Sequence, residues 1–140
     1  MDLKNLDKGV FLVNVQAILC NPITKKILMG RRENDPYIEK LTWSFPGGKA
    51  NYEADLEECL KEQVKKKTGL EIKIEKIIFA KTYPEDRKII SIYYLCEPAG
   101  GKEKVDEKFV ELKWIKPTEV KNYFTTSLHR KLVYFLKSLE

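Results

Sequence analysis

The sequence predicts an α/β fold, an α/β/α sandwich in which a mixed β-sheet carries a helix on each face. Three observations predict it. Segments of strand and helix character follow one another as strand hairpin, short strand, helix, strand pair, strand, helix, and interleaved elements of this kind pack as layers. Each helical segment has a single apolar stripe, so each needs one sheet face to cover it. A chain of 140 residues, 43% hydrophobic and 34% charged, is the size of one domain, 1–140, with one core.

The elements follow in order. "VFLVNVQAILC" (10–20) has strand composition. "NPITKK" is a turn punctuated by Asn21-Pro22, and "ILMGRR" (27–32) returns as the second arm of a hairpin. "ENDPYIEKLT" is a polar loop, and "WSFPGG" (43–48) is a short strand ending in a turn. The first helix starts at Asp55, an N-cap whose capping box is completed by Glu58. Leu56, Cys59, Leu60 and Val64 form its buried stripe. Gly69 suits the left-handed position after its end. Glu57 and Glu58 open this helix and Lys65, Lys66 and Lys67 close it, the order the helix dipole favours by roughly 0.3–1 kcal/mol per charge. The lysine run therefore reads first as a solvated helix end.

"LEIKIEKIIFAKTY" (70–83) and "RKIISIYYLCEP" (87–98) are strands joined across "PED". "AGGK" is a turn into an acidic loop, after which "FVELKWIKP" (109–117) is a further strand with Trp114 in the core. "TEVKNY" is a short helix, and "TSLHRKLVYFLKSLE" closes the chain as an amphipathic helix with Leu128, Leu132, Phe135, Leu136 and Leu139 inward.

Composition excludes several classes. No apolar run approaches a membrane span and "MDLKNLDKGV" lacks the core of a signal peptide, so the expected location is the cytoplasm, with no membrane partner. Cys20, Cys59 and Cys96 are odd in number and far apart, and the one histidine, His129, is remote from them. They read as reduced core thiols, not as a zinc site. A net charge of +5 favours anionic partners only mildly. Nucleic acid ranks last among them, resting on "KKK" and "GRR" alone.

The stretch "GGKANYEADLEECLKEQVKKKTGL" resembles the signature box of the Nudix hydrolase superfamily, and its flanks "ILMGRRE", "WSFPGGK" and "ELKWIKPTEV" resemble the family's too. The family's box reads Gly, five residues, Glu, seven residues, Arg-Glu, an apolar residue, any residue, Glu-Glu, any residue, Gly, an apolar residue. Without gaps, Gly48, Val64, Gly69 and Leu70 match. The first Glu falls on Ala54, beside Glu53. The Arg falls on Glu62, the next Glu on Gln63, and the Glu pair on Lys66 and Lys67. Family members cleave a nucleoside diphosphate linked to another group, using Mg²⁺ held by those glutamates to neutralise the phosphates and activate water. Residues 63, 66 and 67 share one helix face, but here that face offers an amide and two ammonium groups. At ~4 Å and an effective dielectric of ~20, a carboxylate attracts each unit of cation charge by ~4 kcal/mol and an ammonium repels it by a similar amount.

The resemblance therefore implies the fold, with a nucleotide or other phosphate-bearing small molecule as partner and no metal cofactor expected at Gln63, Lys66 and Lys67. Hydrolysis is then weak or absent, and binding or regulation is the role. Gly47, Gly48, Lys49, Lys66, Lys67, Arg31 and Arg32 are the candidate phosphate-binding residues, and Tyr37 and Trp43 the candidate base-stacking ones. The alternative is an active Mg²⁺-dependent hydrolase with relocated acids, Glu53, Glu62 or Glu111, or Asp106 and Glu107 in the acidic loop, since a late-loop glutamate serves as base in some members. A homodimer is a further implied partner, although no interface stripe is legible.

Overall fold

The computed structural model describes residues 9–33, 42–106, 108–124 and 128–140. Among the described residues seven strands form two sheets. Strands β1 (Leu12–Leu19), β4 (Gly47–Lys49), β5 (Leu70–Thr82) and β6 (Ile89–Gly101) make a mixed sheet in the order β4-β1-β6-β5. In it β1 and β6 run parallel and the other pairs antiparallel. Strands β2 (Ile27–Arg31), β3 (Trp43–Ser44) and β7 (Glu111–Ile115) make an antiparallel sheet in the order β3-β2-β7.

Helices α1 (Leu56–Thr68) and α2 (Arg130–Ser138) cover opposite sides. Alternation along the strands sorts the core into two clusters. Val15, Ala17, Leu19, Leu28, Tyr94 and Cys96 meet Cys59, Leu60 and Val64 of α1. Ile18, Ile27, Met29, Phe45, Tyr93 and Ile115 meet Leu132 and Leu136 of α2. Both clusters draw on both sheets, so the two sheets share the middle layer of the expected sandwich.

Several local readings change. The expected hairpin of β1 and β2 is reduced to one bridge, Cys20 to Ile27. Asn21 Oδ1 accepts from the amides of Ile23 (2.9 Å) and Thr24 (3.2 Å), and the turn passes the chain from one sheet to the other. "WSFPGG" splits in the same way, with Phe45 and Pro46 crossing between β3 and β4. Gly100 and Gly101 belong to β6, paired with Glu71 and Leu70, and do not form a turn. "TEVKNY" lies in a 3-10 helix, Pro117–Tyr123.

The first helix starts and stops as expected. Asp55 accepts from the Glu58 amide (2.9 Å), and Gly69 takes φ 78° with its amide on the Lys65 carbonyl. The Glu58 carboxylate lies 3.8 Å from Lys61. Leu56 is 39% exposed, and the buried stripe runs instead through Cys59, Leu60, Val64, Lys67 and Thr68. Trp114 is half-buried, donating from Nε1 to Glu103 (3.1 Å). The three thiols are free and buried. Burial pushes Cys96 up to about 12 and raises Cys20 as well.

Candidate functional site

The site forms where α1 crosses the glycine turn. Strand β4 lies so close to β1 that a Cβ on Gly47 would stand 2.1 Å from the Val15 carbonyl oxygen. A Cβ on Gly48 would stand 2.6 Å from Gln63 Oε1 and 2.9 Å from Lys67 Nζ. Two glycines in succession thus let a helix face rest directly on strand backbone.

On that face Lys67 turns inward. It is 8% exposed, and its Nζ donates a short hydrogen bond to the Gly47 carbonyl. Its pKa falls to about 8, first through burial and then through the positive charges of Arg32, Lys108 and Lys66, with Asp106 acting in the opposite sense. Lys66, one residue and about 100° away around the helix, is exposed.

The sequence candidates separate into three groups. Gly47, Gly48, Gln63 and Lys67 are brought together, with Arg32 and Lys66 near enough to act on the Lys67 charge. Lys49 is exposed at the end of β4, opposite Asn14. Arg31 is committed elsewhere, donating to Glu111 (3.1 Å) across the β2–β7 pair and lying 3.5 Å from Glu33. That contact ties down Glu111 as well. Glu53 is exposed in the loop before α1, its amide on Asn51 Oδ1 (2.9 Å), and Glu62 is exposed on α1. Trp43 packs edge-on against Tyr123, centroids 5.2 Å apart. Tyr37 and Glu107 lie outside the described residues.

Two features escaped the sequence reading. The loop after β6 folds back on the end of α1, the Lys104 amide donating to the Thr68 carbonyl (2.7 Å). This brings Lys108 and Asp106 to Lys67, and only the acids of that loop were legible beforehand. Beside the glycine turn, Gln16 faces Gly47 in register. Its Nε2 donates to Tyr83 Oη (3.1 Å) and Ser91 Oγ (3.2 Å), and Tyr83 Oη lies 3.3 Å from Tyr93 Oη. Tyr93 stacks on Phe79 at 4.9 Å. Isolated polar residues within strands gave no signal that they would meet.

This loop–helix–loop frame on an α/β/α sandwich is that of the Nudix hydrolases. A family model described as the NUDIX domain matches residues 10–136, and the chain belongs to that family. It is 26% identical over 81 residues to a MutT-like protein of Streptomyces ambofaciens, covering 56% of this chain and 51% of that protein, so the chain spans about half the length of that relative. It is 28% identical over 101 residues to the nucleoside triphosphatase NudI of Escherichia coli O139:H28 (strain E24377A / ETEC), covering 64% of this chain and 72% of the relative. The crystal structure of an ADP-ribose pyrophosphatase from Streptococcus suis 89-1591 has a similar fold. Its TM-score is 0.70 at 17% identity, covering 91% of this chain and 90% of that one.

Proposed function

We propose that this Nudix-family chain binds a nucleotide or other phosphate-bearing small molecule at the glycine turn without a divalent ion, and that it hydrolyses such a molecule weakly or not at all. The observation that carries the reading is the Lys67 ammonium on the Gly47 carbonyl, a cation built into the chain at the foot of the turn. Arg32, Lys66 and Lys108 extend the positive field around it, and an ammonium is a compact point charge suited to phosphate oxygens. Relatives named as a nucleoside triphosphatase and an ADP-ribose pyrophosphatase support the ligand class.

The residues present do not fit Mg²⁺. That ion takes about six oxygens, some from carboxylates, whereas the face offers one amide oxygen and ammonium groups. Among the described residues no three of His, Cys, Asp and Glu are grouped as metal ligands. A phosphate therefore meets the Lys67 side chain directly, with Lys49 and Lys66 at the rim. Among the described residues Asp106 is the carboxylate that acts on the Lys67 charge, and its Oδ1 accepts from the Lys108 amide (2.8 Å). Among the described residues no helix is long and apolar enough to cross a membrane, and the cytoplasm is the location we assign.

Titration calorimetry with ADP-ribose and nucleoside triphosphates in EDTA tests the reading. Binding is expected without metal, at least tenfold weaker in Lys67→Met. Binding that appears only with Mg²⁺ would overturn it. Phosphate release above background with Mg²⁺ or Mn²⁺ would favour the relocated acids instead.

A further inference from the structure

The chain after β6 ties the two arms of the glycine-turn site together. Three consecutive residues fasten it beside the end of α1. The Lys102 carbonyl oxygen lies where a Cβ on Gly69 would stand 2.1 Å from it. The Glu103 carboxylate accepts from Trp114 Nε1 (3.1 Å). The Lys104 amide donates to the carbonyl of Thr68 (2.7 Å), the residue next to Lys67. Two further residues fasten the chain to β2. The Phe109 ring, 2% exposed, fills the space over Gly30. The Val110 amide donates to the carbonyl of Arg31 (2.9 Å), the residue next to Arg32. Lys108 lies between these anchors. At about 3.6 Å per residue, it stands no more than about 14 Å from Lys104 and about 7 Å from Val110.

Asp106 fixes the backbone between the anchors, its Oδ1 accepting from the amides of Lys108 (2.8 Å) and Phe109 (3.4 Å). With Phe109 turned into the core, its neighbour Lys108 is turned out and exposed. Lys65 is paired with Glu71 and Arg31 with Glu111. Among the described residues the Lys108 ammonium has no ion-pair partner, yet its charge is felt at Lys67.

We propose that Lys108 is a second phosphate-binding residue of the glycine-turn site, and that Asp106 is the positioning residue that holds it there. Lys67, on the Gly47 carbonyl, takes the phosphate at the foot of the turn. Lys108 takes the next phosphate of the same ligand. A single phosphate meets the first cation alone, so a diphosphate gains a charge-assisted contact that a monophosphate lacks. Asp106 favours that contact through its Oδ1 acceptor and opposes the ligand through its charge. Resting on the phosphate site proposed above, this second contact sets how many phosphates the site reads.

Titration calorimetry of the full chain with ADP and AMP in EDTA is the test, with urea unfolding to show that each variant is folded. The wild type is expected to bind ADP roughly tenfold more tightly than AMP. Lys108→Met should remove most of that preference by weakening ADP alone, and Lys108→Arg should keep it. Asp106→Ala should lose the preference, and Asp106→Asn, which keeps the Oδ1 acceptor, should retain it. A merely structural role would weaken both nucleotides equally. An ADP preference unchanged in Lys108→Met, or equal losses for the two nucleotides, overturns the role of Lys108. Asp106→Ala and Asp106→Asn behaving alike overturns that of Asp106. A wild type that binds neither nucleotide refutes the proposed function and takes this role with it. A wild type whose ADP binding needs Lys67 but not Lys108 refutes this role alone.

Discussion

A buried ammonium leaves a mark on how stability depends on pH, and Lys67→Met removes it. In the unfolded chain Lys67 titrates at the ordinary 10.5, and in the fold at about 8. Between these values the unfolded state holds a proton that the folded state has lost, so the free energy of unfolding rises with pH across the window. Below about pH 8 both states are protonated and the cost of the buried charge is felt in full. Above 10.5 neither is, and the cost is gone. Each pH unit of the window is worth about 1.4 kcal/mol, which makes the rise about 3 kcal/mol. For a urea slope of ~1–3 kcal/mol/M, that moves the midpoint by ~1–3 M. Burial lowers Lys81 and raises Tyr93 in the same alkaline range, so the readout is the difference between wild type and Lys67→Met. Urea unfolding at pH 6.5, 8 and 9.5 should show the wild type gaining on the variant by about 2 kcal/mol between pH 8 and pH 9.5. Parallel curves would refute the burial of a charge at this position.

Asp55→Ala removes the acceptor of the Glu58 amide and should cost about 1 kcal/mol, read as a lower urea midpoint; an unchanged midpoint would show the cap contributes nothing. Gly30→Ala places a Cβ 2.6 Å from three atoms of the buried Phe109 ring, and overpacking of this kind should cost about 1–3 kcal/mol; a melting temperature equal to wild type would mean the ring shifts freely. With Cys96 titrating at about 12 and Cys20 also raised, the native chain should resist iodoacetamide at pH 8, all three cysteines reacting only in denaturant; mass spectrometry counts the adducts. The combined change Gln63→Glu, Lys66→Glu and Lys67→Glu should yield Mg²⁺-dependent phosphate release from nucleoside triphosphates or ADP-ribose, and silence across that panel in a folded variant would show that more than the box face is altered.

Helix α1 was legible to within a residue because its signals are local: an N-cap, charges matched to the dipole, and a glycine able to take φ 78°. The sandwich was legible from the order of elements. Sheet membership was not, since a two-residue crossing such as Phe45-Pro46 carries no mark of which sheet follows. The inward turn of Lys67 has a sequence signal in its spacing. It lies seven residues after Leu60 and three after Val64, on the stripe those residues define, but a lysine beside two others reads as surface. The approach of Lys108 was out of reach, because it depends on how a loop some 40 residues on in the chain returns to the helix end.

The lysine run is not one feature, because residues about 100° apart on a helix meet three environments. Lys65 reaches Glu71 (3.7 Å), Lys66 meets solvent and Lys67 meets the strand. The dipole offers a last-turn cation about 0.3–1 kcal/mol, less than the ~3 kcal/mol that burying the Lys67 charge costs, so the dipole alone does not hold it inward. The remainder comes from β4. The Ala17 amide bonds the Pro46 carbonyl and the Ala50 amide bonds the Val13 carbonyl, and in an antiparallel pair this alternation turns the carbonyl of Gly47 away from β1, under the helix. A buried carbonyl with no donor costs about 1–3 kcal/mol, which Lys67 offsets. A carboxylate at 67 would set negative charge against that same oxygen and would need a cation between them. In this chain the Lys67 ammonium supplies both the donor and the positive charge at that oxygen.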